Sequence, residues 1–346
     1  MLRTSNTNQP LADTSDSFEV LLYYRYVKIE DTESARKEQA DFCKKHELLG
    51  RILVASEGIN GTVSGLAHQT KVYREWMAQH PLFKGIEFKI DQHPGHTFNK
   101  LHVRVKNEIV HLGLGNEDVD PTIKTGKYIE PDELRDLLRN GNPDVVLLDA
   151  RSRYEYEVGK FPNALTLDIE NFRELPQQLE AISGLKDKTI VTYCTGGIKC
   201  EKASALLLKE GFTNVFQLHG GIVRYGHEAE GENFEGSCYV FDQRVVVPVN
   251  RVNPTIIGKC FLCTAPTEKM INCANSVCNR HFLICENCAS EMEGCCSEDC
   301  RMSDRRRAWD GTGYYLRGIN SKNYLTSSQK QPGALSYRSE MPESID

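Results

Sequence analysis

Nine of the thirteen cysteines lie between Cys260 and Cys300. A thiol cluster this dense must be tied together, either by disulfides or by metal. The N-terminus, MLRTSNTNQPLADTSDS, is polar and lacks the apolar stretch of a secretory signal. No apolar run approaches the roughly 18 residues needed to span a bilayer. The sequence therefore predicts a cytoplasmic chain with no membrane partner, whose cluster binds metal. The spacings are Cys260-x2-Cys263, Cys273-x4-Cys278 and Cys285-x2-Cys288, then Cys295, Cys296 and Cys300, with His281 among them. The two C-x2-C knuckles, Cys260 with Cys263 and Cys285 with Cys288, supply one tetrahedral set of thiolates. Cys273, Cys278, Cys296 and Cys300 supply a second set interleaved with the first, although the spacing also allows ligands to be exchanged between sets. One cysteine, Cys295 or Cys296, is spare. The segment 238–302 has few large apolar residues and cannot build much core, so structural zinc is expected to staple it.

The rest of the 346-residue chain divides by pattern. Residues 1–17 are polar and predicted to be disordered. Over 18–113 the elements read β-α-β-β-α-β, with one further strand at the end. They are the strand FEVLLYYRYV, a helix from Asp31 or Thr32 stopped by Gly50, the hairpin RILVAS/NGTVSG, the helix QTKVYREWMAQH, and the strands IEFKI and KLHVRVK. This is a ferredoxin-like, or acylphosphatase-like, arrangement. Residues 114–127 read as a linker. From 128 to 237, apolar strands (DVVLLDA, KDKTIVTYC, TNVFQLHGG) alternate with helices, which predicts an α/β unit with a parallel sheet. The whole is therefore an α/β and α+β multidomain chain. Residues 303–346 begin basic (DRRRAW) and are expected to form a partly disordered tail.

The loop CTGGIK is where chemistry is expected. Cys194 follows a strand, and a helix begins near Cys200. Gly196 and Gly197 let the backbone N–H groups converge on a central anion. A thiol at the head of such a cup ionises readily and becomes a nucleophile. A phosphatase loop of this shape carries arginine where Cys200 stands. The shorter sulfurtransferase loop carries a cation where Lys199 stands, which favours sulfur or oxidation chemistry. Cys200 itself reads either as a resolving thiol or as a helix residue beside the loop.

With these residues in view, the central unit resembles the rhodanese domain. Asp149, Arg151, Glu155, Gly159, Pro162 and Ala164 match its upstream motif, with Lys160 where that motif usually has histidine, and Gly220 and Gly221 in LHGGIVRYG match its closing motif. The resemblance implies that Asp149 and Arg151 brace the loop. An ordinary strand-end ion pair suits them equally well.

The net charge of −6 argues against a generally basic nucleic-acid binder, yet charge is uneven. From Val20 to Gly113 there are 14 Lys and Arg against 11 Asp and Glu, and seven of the ten histidines. Lys100, His102, Arg104 and Lys106 alternate along one strand and so share a face. A row of cations suits RNA phosphates, and it also suits a plain solvated face. SEGINGTVSG, with Glu57 and Asn60, reads as a glycine-rich hairpin with or without a function.

ASEGINGTVSG, EIVHLG and YCTGGIKCEKAS together resemble the bacterial tRNA uridine hydroxylase family, over roughly residues 18–300. That resemblance implies oxygen-dependent 5-hydroxylation of the wobble uridine by the loop cysteine, with tRNA as partner and the N-terminal domain assisting its binding. Molecular oxygen would be the co-substrate, and a sulfur donor or thiol reductant a possible further partner. No flavin or nicotinamide site and no 2-His-1-carboxylate set is evident. Two other readings compete. One is a sulfurtransferase that passes persulfide sulfur to a thiol. The other is a non-catalytic, zinc-stapled RNA-binding protein.

Overall fold

The structure, a computed structural model, describes residues 17–114 and 119–313. The expectations for 1–16, for part of the linker and for 314–346 lie outside the described residues.

Strand β1 (Phe18–Tyr26) alternates its side chains between two environments. Leu21 and Tyr23 point into a core shared with helices α1 (Thr32–Lys45) and α2 (Ala67–Gln79), along with Ile52, Val54, Ile59 and Val63. Leu22 and Tyr24 point the other way. Strands β2 (Leu49–Ala55) and β3 (Gly58–Leu66) form the hairpin, and β4 (Phe88–His93) pairs with β1. The order β4-β1-β3-β2 is that of the βαββαβ unit, and β5 (Leu101–Val105) adds a fifth strand parallel to β2. Asp31 caps α1 by accepting from Ser34 N at 2.9 Å. Gly50 is not its stop. The helix ends at Lys45, Glu47 turns the chain with φ +54°, and Gly50 lies inside β2.

The second unit contains β6 (Lys127–Ile129), α3 (Pro131–Asn140), β7 (Val145–Asp149), α4 (Arg153–Tyr156), β8 (Gly159–Lys160), β9 (Leu165–Thr166), α5 (Leu175–Gln178), β10 (Thr189–Tyr193), α6 (Ile198–Lys209), β11 (Asn214–Leu218) and α7 (Gly221–Glu228). Its parallel sheet runs β6-β11-β10-β7-β9, with apolar side chains buried on both faces. Two boundaries shift. β6 belongs to this sheet and Gly126 N donates to Ser204 Oγ at 2.9 Å, so the unit begins inside the expected linker. At the other end, β12 (Glu235–Tyr239) pairs with β8 and with β13 (Val246–Pro248), and Cys238 and Val249 join its core. The cysteine-rich unit therefore starts well after residue 238.

That third unit contains β14 (Met270–Asn272), β15 (His281–Leu283), α8 (Glu286–Glu291) and α9 (Glu298–Arg301). Residues 303–313 are part of it, not a tail. Arg307 donates to the carbonyls of Cys273 (2.6 Å) and Ala274 (3.0 Å), Arg306 pairs with Glu293, and Trp309 packs in the same cluster. Arg306 and Arg307 are thus held by the fold and do not form a free basic run. Among the described residues, no helix is long and apolar enough to cross a membrane.

The first two units are locked together by buried polar contacts. Lys202 on α6 is 1% exposed and lies 2.8 Å from Glu57 and 2.5 Å from Glu108. Asp91 on β4 bridges to Arg244 (2.6 Å) and His227 (2.7 Å). These locks turn the helix-free face of the N-terminal sheet toward the Cys194 loop.

Candidate active site

The turn Cys194–Gly197 joins β10 to α6. Gly197 adopts φ +99°, which a side chain would strain. The start of α7 holds the turn: Ile222 N and Val223 N donate to the carbonyls of Cys194 (2.9 Å) and Thr195 (3.0 Å). Gly221 must approach closely, since a Cβ there would lie 2.5 Å from Cys194 O. Gly197 N points at the thiol and donates to Cys194 Sγ at 3.2 Å.

Burial alone would push the Cys194 thiol up. The hydrogen bond from the Cys200 thiol, the charge of Lys199 and the N–H groups of Cys200 and Gly197 outweigh it and bring the thiol down to about 7. Cys200 moves the opposite way, raised by burial and by its bond to Cys194. Cys194 thus carries the thiolate while Cys200 keeps its proton and donates it. Cys200 is fully buried and does not line the cavity described below.

Lys199 Nζ sits 2.5 Å from Glu155 Oε2. Glu155 is fully buried and also accepts from Ser152 N (3.0 Å) and, more loosely, Thr195 Oγ1 (3.5 Å). Arg151 makes no hydrogen bond to the loop among the described residues. It chelates Asp149 at 2.9 and 2.7 Å and donates to the carbonyls of Glu155 (3.2 Å) and Gly159 (2.6 Å). From the neighbouring strand the pair packs against Tyr193 at the base of the loop and fixes the turn that presents Glu155, and Glu155 meets the loop.

A cavity of about 160 Å³ opens in front of Cys194. That is room for roughly ten water-sized spheres, the scale of one planar base. Cys194, Lys199, Tyr154, Phe172 and Phe241 form one side, and Leu22, Tyr24, Arg51, Leu53, Asn60 and Thr62 form the other. Asn60 Nδ2 donates to Ile109 O at 2.9 Å, which fixes its amide at the wall. His102 and Arg104 sit beside Arg51 and Leu53 in register, on the same sheet face. Lys100 and Lys106 flank β5 and are exposed. The four cations thus follow the outer edge of the cavity's N-terminal wall.

In the third unit the sulfurs of Cys260, Cys263, Cys285 and Cys288 gather, as do those of Cys273, Cys278, Cys296 and Cys300, each set within 4.8 Å. Four thiolates about 2.3 Å from a zinc ion stand about 3.8 Å apart. The distances Cys263–Cys285 (3.6 Å), Cys278–Cys296 (3.6 Å) and Cys296–Cys300 (3.8 Å) fit that tetrahedron. Cys295 is the spare. His281 packs edge-on against Tyr154 and Tyr239, outside both sets.

Residues 18–109 match the UPF0176 acylphosphatase like domain, 130–228 the rhodanese-like domain and 235–301 the rhodanase C-terminal domain. A tRNA uridine(34) hydroxylase of Cytophaga hutchinsonii is 52% identical over 303 residues, covering 88% of this chain and 96% of the relative. One of Shouchella clausii is 48% identical (84% and 91%), and one of Listeria monocytogenes 50% (82% and 89%). The chain belongs to the tRNA uridine(34) hydroxylase family. The solution structure of a rhodanese-like domain from Anabaena sp. is 28% identical, with a TM-score of 0.27, over 32% of this chain and 78% of that one.

Sequence reasoning missed some residues of this hydroxylase-family site. Glu155 was visible as part of the rhodanese-like motif, but nothing in the sequence linked it to Lys199, which reaches it from 44 positions away. Tyr24, Phe172 and Phe241 carried no signal beyond core-like apolarity. Glu57 turned out to be a domain lock rather than a cavity residue.

Proposed function

We propose that this chain catalyses oxygen-dependent 5-hydroxylation of the wobble uridine of tRNA. The observation that carries the reading is the cavity itself. It places a thiolate loop against the wall of a second domain, at a size and with an aromatic lining suited to a base taken out of its stack. Hydroxylation replaces C5–H with C5–OH. One oxygen atom of dioxygen enters the base, and the other leaves as water with two electrons and two protons from a thiol reductant. The role proposed for Cys194 is addition of its thiolate to uracil C6, which makes C5 electron-rich, followed by elimination once C5 is oxygenated. Cys200 and Lys199 keep Cys194 ionised, Gly196 and Gly197 shape the cup, and Asp149 and Arg151 position Glu155. Lys100, His102, Arg104 and Lys106 would take tRNA phosphates along the cavity's edge.

The two thiolate sets are proposed to hold structural zinc, which would staple a unit too small to fold on apolar burial alone. A tRNA substrate also argues for the cytoplasm. The test is reconstitution. The purified chain, unmodified tRNA, air and a thiol should give 5-hydroxyuridine, and the same mixture under nitrogen should not. Turnover of thiosulfate to cyanide without any 5-hydroxyuridine would favour the sulfurtransferase instead, a reading that the cation-headed thiolate loop keeps open.

A further inference from the structure

Beside the Cys194 cavity, on the other side of the Tyr24 ring, lies a second hollow of about 480 Å³ at the seam between the first two units. Two cations line it, with the charges of Glu87 and Glu201 in the same hollow but not in ion-pair contact with them. Lys89 on β4 is 8% exposed, and its Nζ rests 4.8 Å from the centre of the Tyr24 ring. Arg25 Nε is buried without a hydrogen bond. Among the described residues, no carboxylate reaches salt-bridge distance of either. The two carboxylates that line the hollow are engaged elsewhere. Glu201 accepts from Tyr24 (2.9 Å), Tyr128 (2.7 Å), Thr125 (3.2 Å) and Gln217 (3.0 Å). Glu87, largely exposed, pairs with His219 at 3.3 Å and touches Arg224 at 4.0 Å. At the mouth, the half-exposed ring of Tyr128 lies against His219, tilted by 32°, with centroids 4.5 Å apart.

A buried cation without a partner costs the fold free energy, and the Tyr24 ring offsets only part of it. Such a group persists where a ligand supplies the missing charge. Burial already lowers the Lys89 ammonium to about 8. An aromatic platform over a cationic floor is the usual form of a single-strand nucleotide site.

We propose that this hollow is a second nucleotide subsite: Lys89 and Arg25 take the phosphodiester next to the reacting uridine, and Tyr128 with His219 stacks the neighbouring base. The proposal rests on the RNA-modifying reading and adds a position to its substrate. Tyr24, which lines both cavities, separates the two bases.

The test is binding of an anticodon-type RNA hairpin to the full chain across a salt series, with Tm measured in parallel. Lys89→Met is expected to weaken binding about tenfold, the loss of one charged contact. The slope of log K against log salt should shrink by about 0.7. Tm should hold or rise, because the variant removes an unpaired buried charge. Lys89→Arg should retain the slope. Unchanged affinity and slope in Lys89→Met would overturn the subsite. So would a fall in Tm with equal loss of binding in Lys89→Arg, which marks a structural lysine. If inorganic phosphate raises the Tm of the wild type but not of Lys89→Met while hairpin affinity is the same in both, the hollow is a small-anion site and the subsite is overturned too. A wild-type chain that binds no hairpin would sink the RNA reading as well, so the two failures are distinguishable.

Discussion

Replacing Cys200 by alanine removes the one thiol donor that faces the Cys194 sulfur. That donor heads the contributions that lower Cys194 against the opposing effect of burial, which remains in the variant. A hydrogen bond to a charged group contributes about 1.5–3 kcal/mol. One pKa unit corresponds to about 1.4 kcal/mol, so the Cys194 thiol should rise by about one to two units from its value of about 7. The assay is alkylation by a small haloacetamide over a pH series, with the Cys194 peptide followed by mass spectrometry so that the clustered thiols do not interfere. In the wild type the rate should climb as pH rises through about 7, because the thiolate is the reactive form, and should fall away below it. In Cys200→Ala the midpoint should move up, and at neutral pH the rate should drop about tenfold or more. Cys200→Ser keeps a donor and should stay near the wild type, which separates the hydrogen bond from any cavity left by truncation. A Cys200→Ala midpoint that matches the wild type would refute the assignment of proton and charge within this pair.

Two further outcomes follow from the packing. Lys202→Met strips the cation from between buried Glu57 and Glu108, and should cost about 3–5 kcal/mol in chemical denaturation; a loss below 1 kcal/mol would contradict the lock between the two units. Elemental analysis should find two zinc ions per chain, and Cys273→Ser should remove one of them while leaving the Cys260 set filled; a metal-free chain that melts at the same temperature would contradict stapling by zinc.

How much could be read from the sequence depended on how local each feature was. The Cys194 loop is contiguous, so thiol, glycines and cation could be placed by counting. The alternation of His102 and Arg104 follows from strand geometry, and β5 presents both on one face, with Lys100 and Lys106 just beyond its ends. Cysteine spacing was similarly informative, because a knuckle is made of near neighbours. What escaped was set by tertiary packing. Glu155 meets Lys199, Lys202 meets Glu57, and Glu201 collects hydroxyls from Tyr24 and Tyr128, all across long separations. No periodicity marks a charged residue that will be buried against a partner from another domain. The same cause misled the reading of RRRAW, since Arg306 and Arg307 look like a solvated basic run until the carbonyls of Cys273 and Ala274 are seen beside them.

The central claim is that Cys194 carries out uridine hydroxylation in the cavity between the two domains. The most direct measurement is nucleoside mass spectrometry of tRNA from cells lacking this chain, complemented with either the wild type or Cys194→Ser. Restoration of 5-hydroxyuridine at the wobble position by the wild type, and none by Cys194→Ser at equal protein level, is the expected result. Equal restoration by both, or tRNA unchanged by the deletion, would contradict the account.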